Sequence, residues 1–327
     1  MKRRQFITLL GGAAAASIYR PRAALSQPKV LGVLSQGSTS THPTPVFRTF
    51  RQGLRDLGWV EGQNLTIEWR FSEGSAESLP RLAAELVGLP VDLIVASPTQ
   101  PARAAKEATG TIPIVFIQVA DPVKSGIVTN LARPDANVTG LSTVGSDLSG
   151  KRLELLKEAL PSAERVAVLW NKPSEGAILA FRELELASGQ VDVSLQDIGV
   201  SDHAELRDAV ASAVRTRVAA IMVIDDPVIA SYRSQILSLA SETALPLFSI
   251  YSEFAHGGGL MSYGASLPTI YSRAAVYVDR ILRGAKPSDL PVELPSIFEL
   301  VINLRTAKAL GLDLAPTLLA RANRVIE

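Results

Sequence analysis

Three short apolar segments, separated by amphipathic helical stretches, occur twice in this chain of 327 residues and in the same order. The strand-like runs lie at 29–35, 91–97 and 112–118 in the first series, and at 165–170, 218–224 and 245–248 in the second. Apolar runs that alternate with helices indicate βαβ units and parallel sheets. The repeat therefore predicts an α/β protein with two lobes of similar topology, in keeping with a chain about twice the usual domain length.

The first 26 residues have the layout of an export signal. A basic start at 2–4 is followed by an apolar stretch at 7–18 and by small residues at 24–26. This order is that of a cleaved signal, and the paired arginines before Phe6 resemble the twin-arginine type. An uncleaved anchor would need a stronger apolar stretch, because a spanning helix takes about 20 residues. We expect a mature protein in the periplasm.

Charge and cysteine content exclude several classes of partner and site. The export signal holds five of the 33 basic residues and no acid, which leaves 28 basic against 32 acidic side chains in the body. A slightly acidic body argues against nucleic acid as a partner, since phosphate binding needs a concentrated basic face. The absence of cysteine excludes disulfides, thiolate metal sites and cysteine nucleophiles.

Candidate ligand-binding residues follow from the expected fold. In open parallel sheets, ligands lie beyond the carboxyl ends of the strands, and two such lobes facing each other form a cleft. The candidate residues are Gly37, Ser38, Ser97, Pro98, Thr99, Gln118 and Asp121 in the first half, and Asn171, Asp226, Tyr251, Glu253 and Tyr263 in the second. Taken singly, each of them could instead be a cap, turn or hinge residue.

The residue types suggest how a small charged solute would be held. Ser97 and Thr99 stand at a predicted helix start, whose free N–H groups favour a carboxylate. Asp226 or Glu253 could pair with an ammonium group, while Tyr251 and Tyr263 could stack against the solute. We expect an amino acid or an aromatic carboxylate.

Short catalytic signatures are missing from the sequence. It contains no H-E-x-x-H, no G-x-S-x-G, no G-x-x-x-x-G-K-[ST] and no G-x-G-x-x-G after the first strand. These absences favour a binding protein without catalytic residues, metal or cofactor. Two alternatives stay open: a periplasmic partner that presents ligand to a sensor, and an enzyme on the same scaffold.

Several segments together resemble the ABC transporter substrate-binding protein family, in the branch with tryptophan- and tyrosine-type members. They are GLRDLGWVEGQNLTIEWR at 53–70, LAAELVGLPVDLIVA at 82–96, IPIVF at 112–116, DPV at 121–123, LARPDANVTG at 131–140, GGLMSYG at 258–264 and FELVINLRTAKALGLDLAPTLLARANRVIE at 298–327. The resemblance implies a type I periplasmic binding protein, with two Rossmann-like, doubly wound lobes joined by a three-segment hinge. It also implies an ABC permease as the membrane partner, and we expect a monomer.

The resemblance further implies where the lobes divide. The hinge crossings are expected near 142–147, 250–252 and 285–292. One lobe would then comprise 27–143 and 251–286, and the other 144–250 and 287–327. The chain departs from the common family pattern at 38–42, 117–120 and 135–137. All three segments are expected near the cleft, so the solute of better-known relatives does not carry over.

Overall fold

The computed structural model describes residues 28–39, 44–134, 137–143 and 148–327. The predicted export signal and the segment 144–147 of the expected hinge lie outside these ranges.

Five parallel strands form the sheet of the first lobe. The strands are β1 Lys29–Ser35, β2 Leu65–Phe71, β3 Leu93–Ser97, β4 Ile114–Val119 and β5 Val138–Ser142. Their spatial order is β2-β1-β3-β4-β5, and every neighbouring pair is parallel. This order belongs to doubly wound sheets, in which helices cover both faces.

Seven strands form the sheet of the second lobe. They are β6 Arg165–Leu169, β7 Ser194–Asp197, β8 Ala220–Val223, β9 Leu247–Ser249, β10 Met261–Ala265, β11 Phe298–Asn303 and β12 Arg324–Ile326. Read from the other edge, the order β7-β6-β8-β9-β10 repeats that of the first sheet, and β11 and β12 extend it. Only β10 and β11 pair antiparallel among the described strands. The predicted pair of similar α/β lobes is confirmed.

Twelve helices pack on these sheets within the described residues. They are α1 Pro45–Asp56, α2 Leu79–Val87, α3 Thr99–Ala108, α4 Ser149–Ala159, α5 Glu175–Ser188, α6 Leu206–Arg215, α7 Pro227–Ser231, α8 Arg233–Glu242, α9 Ser252–His256, α10 Leu267–Leu282, α11 Leu304–Ala309 and α12 Pro316–Arg321. Most begin with a clear local signal. Helix α1, for example, has Pro45 at its first position and Thr44 as N-cap, and it buries Phe47 and Phe50.

Helix α10 belongs with the first lobe although its sequence follows β10. It packs against α1 and against β4 and β5. The two helices approach closely at Gly53, where an added Cβ would come within 2.9 Å of the Ala275 Cβ. The absence of a side chain at Gly53 therefore permits this packing.

The chain passes between the lobes at positions that differ in part from the expected ones. Strand β10 lies in the range 251–286, which was expected in the first lobe, but it pairs with β9 and β11 of the second sheet. The return to the first lobe therefore falls between Ala265 and Leu267, not at 250–252. The last passage follows Glu293, whose carbonyl oxygen accepts from Ser142 N at 2.9 Å at the edge of the first sheet.

Candidate functional site

The two lobes face each other across a cleft at the carboxyl ends of their strands. Residues that follow β1, β3 and β4 form one side, and residues that follow β8 and β9 form the other. The cleft has two compartments that share one wall. The residues of that wall are Gln118, Asp225, Asp226, Pro227 and Tyr251.

The small compartment has an empty volume of about 600 Å³, which includes space open to solvent, and it lies among three helix starts. Thr99 and Gln100 begin α3, Ser174 and Gly176 flank the start of α5, and Asp226 caps α7. Apart from the carboxylate of Asp225, its other polar lining residues are amides and hydroxyls. No basic side chain is among the described residues that line it.

The large compartment has an empty volume of about 1180 Å³. Its first-lobe wall is largely apolar and includes Phe47, Leu267 and Tyr271. The second-lobe wall is polar and carries Arg233 and Glu253. Arg233 is the single basic side chain among the described residues that line either compartment.

A chain of hydrogen bonds crosses the cleft from one lobe to the other. The Ser97 hydroxyl lies 2.9 Å from the Tyr271 hydroxyl, which donates to Gln118 Oε1 at 3.1 Å. Gln118 Nε2 lies 3.4 Å from the Tyr251 hydroxyl and donates to it. Burial raises the pKa of Tyr271 to about 12 and raises that of Tyr251 as well. Both phenols are therefore neutral hydrogen-bonding groups at physiological pH.

Gln118 reaches the cleft because the strand is irregular at this position. It has a φ of +65°, in the left-handed region, and it lies where the register between β4 and β5 shifts. In a regular strand, successive side chains point to opposite faces of the sheet. A bulge of this kind changes the direction of one side chain. Such geometry in a non-glycine residue is uncommon and concentrates at functional sites.

Asp226 is a buried carboxylate whose hydrogen bonds are satisfied by the protein itself. Ile229 N donates to its Oδ1 at 2.8 Å, and Asn171 Nδ2 donates to its Oδ2 at 2.7 Å. Burial raises the pKa of Asp226, while these bonds and one from Ser174 act in the opposite direction. Asp226 therefore caps α7 and ties the start of α5 to it.

Asp225, the next residue along the chain, is left without such partners. Its Oδ1 is buried and accepts no hydrogen bond from any residue that the structure describes. Burial, followed by the charges of Glu253 and Asp226, raises the pKa of Asp225 well above its ordinary value of 3.8, and Arg233 partly offsets this. A buried carboxylate oxygen without a donor is costly, so this position is suited to a donor from outside the protein.

Three further residues of the cleft have polar or charged groups without a partner among the described residues. Gln36 is 1% exposed and lies in the small compartment, where its Oε1 is buried and unpartnered. Arg233 and Glu253 are half-buried, and neither side chain forms a hydrogen bond or ion pair with a residue in the described ranges. The cleft thus presents unpaired charges of both signs.

Most of the sequence-predicted residues meet in this cleft. Eight of the twelve line it: Pro98 and Thr99 in the small compartment, Gly37, Ser97 and Glu253 in the large one, and Gln118, Asp226 and Tyr251 in both.

The other four predicted residues do not line either compartment. Ser38 bonds to Glu73, and Asp121 accepts from Val123 N and Lys124 N in a local turn. Asn171 lies behind Asp226, which it holds in place. Tyr263 packs against Phe298 instead of lining the cleft.

Sequence reasoning did not select four residues that the structure brings into the cleft: Gln36, Asp225, Arg233 and Tyr271. Asp225 had a signal, since it stands beside Asp226 at the same strand end. Arg233 and Tyr271 had none, because both lie in helices and their position depends on how the lobes meet.

Contacts between α3 and α5 join the lobes at one edge of the cleft. Arg103 Nη2 lies 2.7 Å from Glu175 Oε2, and Gln100 Nε2 donates to the Pro173 carbonyl at 2.9 Å. These contacts hold the lobes together beside the small compartment.

No group of three or more metal-ligating side chains occurs among the described residues. In those residues, no helix combines the length and apolar character needed to cross a membrane.

Comparison with known proteins places the chain in a family. The family described as ABC transporter substrate binding protein matches residues 44–326. A tyrosine-binding protein of Clostridioides difficile is 28% identical over 264 residues, which cover 81% of this chain and 76% of the relative.

Solved structures agree on the fold. An ABC domain from Streptococcus pneumonia in complex with L-Trp has a TM-score of 0.81 at 24% identity, over 92% of this chain and all of that one. A ligand-free, open substrate binding protein with adhesive properties from Clostridium difficile has a TM-score of 0.64 at 25% identity, over 91% of this chain and 99% of that one. These likenesses confirm the type I periplasmic binding protein fold.

The match extends over most of the chain, through both lobes and the cleft between them. It also confirms the prediction of a solute-binding protein instead of an enzyme, because the family is one of extracytoplasmic substrate-binding proteins. The chain belongs to the ABC transporter substrate binding protein family.

Proposed function

We propose that this protein is the exported solute-binding component of an ABC importer and that its solute is an amino acid. The observation that carries the proposal is a pair of opposite charges, Arg233 and Glu253, which lie in one compartment of an interlobe cleft and have no partner among the described residues. Family membership and the name of the tyrosine-binding relative support this assignment.

An α-amino acid complements these charges. The planar guanidinium of Arg233 can bind a carboxylate through two parallel hydrogen bonds. Glu253 can accept from the α-ammonium group. The carboxylate site predicted at Ser97 and Thr99 is less suitable, since these residues line different compartments and the Ser97 hydroxyl already contacts Tyr271.

We further propose that the lobes close on the solute. This structure is nearer to the L-Trp complex than to the open, ligand-free protein, with TM-scores of 0.81 and 0.64 at almost equal identity and coverage. The contacts between α3 and α5 are those that a closed arrangement would add. A solute shifts the population toward the closed state only by the difference between its affinities for the two states.

A thermal-shift screen of the twenty amino acids tests the proposed solute class. A ligand at about 100 times its Kd adds about 2.7 kcal/mol to the free energy of unfolding, which raises the melting temperature measurably. We expect at least one amino acid to do so for the wild type and not for Arg233→Gln. An exposed arginine, Arg207→Gln, is the matched control.

Failure of every amino acid to change the melting temperature would contradict the proposed solute class. Delivery to a permease is tested separately: the solute-loaded protein should stimulate ATP hydrolysis by its reconstituted ABC transporter. A loaded protein that leaves the ATPase rate at its basal value would contradict the transport role.

A further inference from the structure

We propose that the solute carries a second cationic group on its side chain, as L-lysine and L-arginine do, and that Asp225 and Gln36 in the small compartment receive it. This inference rests on the proposed function, because it assumes that the amino acid head group binds in the large compartment.

The first argument is the number of charges that the protein leaves unpaired. Among the residues that the structure describes, four charged side chains line the cleft: Asp225, Asp226, Arg233 and Glu253. Asp226 is satisfied by Ile229 N and Asn171 Nδ2. Two acids and one base remain, so the complementary solute has two cationic groups and one anionic group.

The second argument is the polarity of the small compartment. Among its described residues, two buried side-chain atoms lack a partner, Asp225 Oδ1 and Gln36 Oε1, and both are acceptors, one from each lobe. Gln36 is fixed by its amide nitrogen, which donates to Gln100 Oε1 at 2.8 Å. An ammonium or guanidinium group supplies several donors at once and can satisfy both acceptors.

The third argument is the cost of a neutral side chain in the same place. A site built to hydrogen-bond a polar group discriminates strongly against an analogue that lacks it, because the buried partners of the site are then left unsatisfied. The two tyrosines near the junction of the compartments, Tyr251 and Tyr271, are compatible with a cation, since aromatic faces attract cationic groups. An alkyl or aromatic side chain would leave Asp225 without a donor.

Titration calorimetry with paired solutes tests the inference. L-Norleucine has the chain length of L-lysine without the ε-ammonium group, and L-citrulline replaces the guanidinium of L-arginine by a neutral urea. We expect L-lysine or L-arginine to bind the wild type at least tenfold more tightly than its neutral partner. Asp225→Asn should remove most of this difference, whereas the exposed Asp208→Asn should preserve it.

Each outcome decides between the two proposals. If L-norleucine, L-citrulline or L-tyrosine binds as tightly as the cationic amino acids, the second-cation inference is wrong and the proposed function stands. If no amino acid binds, the proposed function itself is wrong. The wild-type affinity ratio needs no variant, so the inference can be refuted even if Asp225→Asn does not fold.

Discussion

Two adjacent carboxylates at the end of β8 have opposite roles in this protein. Asp226 accepts hydrogen bonds from Ile229 N and Asn171 Nδ2, whereas Asp225 Oδ1 accepts none. Asp226 supports the fold. Asp225 has a buried oxygen without a donor, which lowers the stability of the free protein, and a ligand that donates a hydrogen bond to it would remove this penalty. This difference leads to separate predictions for the two residues.

Asp226→Ala should destabilise the protein without any ligand present. The change removes the cap of α7 and leaves the buried Asn171 amide without its acceptor, a loss of about 1–3 kcal/mol. Chemical denaturation of the free protein measures it, with the exposed Asp208→Ala as control. Equal unfolding midpoints for the two variants would contradict the structural role of Asp226.

Asp225→Asn should stabilise the free protein at neutral pH. Burial and neighbouring acids raise the pKa of Asp225 in the folded state above its ordinary value of 3.8. At a pH between 3.8 and this higher folded-state pKa, the folded protein therefore binds more protons than the unfolded chain. Stability then falls as pH rises through that window, and the asparagine variant lacks this loss. Thermal unfolding from pH 4 to 8 measures the melting temperatures of the variant and the wild type. The melting temperature of the variant should exceed that of the wild type by a margin that grows as the pH rises. A melting-temperature difference that stays constant or narrows as the pH rises would contradict the raised pKa of Asp225.

Sequence reasoning at this scale located the cleft residues that follow strands. Pro98, Thr99, Asp226 and Tyr251 reach it by that rule. It could not separate a satisfied carboxylate from an unsatisfied one, because the partners of Asp226 come from other parts of the chain. Tyr263 was expected to line the cleft, but it lies in β10 and its ring packs against Phe298.

At the scale of elements, the β4–β5 pair depends on the absence of a side chain at Gly140. An added Cβ would lie 2.1 Å from the Phe116 carbonyl oxygen and 2.6 Å from the Phe116 ring. The Phe116 backbone cannot move aside without disrupting the hydrogen bonds between β4 and β5. Gly140→Ala should therefore lower the free energy of unfolding by about 1–3 kcal/mol. Denaturant unfolding measures the cost.

Gly150→Ala is the control for that change. Gly150 lies in α4, where the nearest atom to an added Cβ is 3.9 Å away, and alanine is a better helix former by up to about 1 kcal/mol. The two substitutions should therefore have opposite signs. A destabilisation of similar size in both would contradict the packing argument at Gly140.

The ion pair between α3 and α5 should affect affinity without contacting the solute. Glu175→Gln weakens the Arg103–Glu175 pair, which joins the lobes only when they are close. The side chains are about 40% exposed, so the pair contributes about 0.2–1 kcal/mol. Calorimetry should show solute affinity reduced by up to about fivefold.

A matched control separates this effect from a general change in charge. Glu154→Gln weakens the Lys151–Glu154 pair, which lies within α4 of one lobe. It should leave the affinity unchanged. Equal losses of affinity in Glu175→Gln and Glu154→Gln would contradict a role for the interlobe pair in closure.

At the scale of the whole molecule, the repeated strand series was sufficient to predict the two lobes. The series predicted β1, β3 and β4 and their counterparts β6, β8 and β9, whereas the spatial orders β2-β1-β3-β4-β5 and β7-β6-β8-β9-β10 come from the structure. The second passage between the lobes was not predictable in the same way. It depends on β10 pairing with β9 and on α10 packing back on α1, and periodicity does not report either contact.

Small-angle X-ray scattering of the protein with and without its solute tests the central claim most directly. If the lobes close on an amino acid in the cleft, the radius of gyration should fall when the solute identified by the thermal-shift screen is added, and it should not fall for Arg233→Gln under the same conditions. A bound solute that leaves the wild-type radius of gyration unchanged would contradict the account.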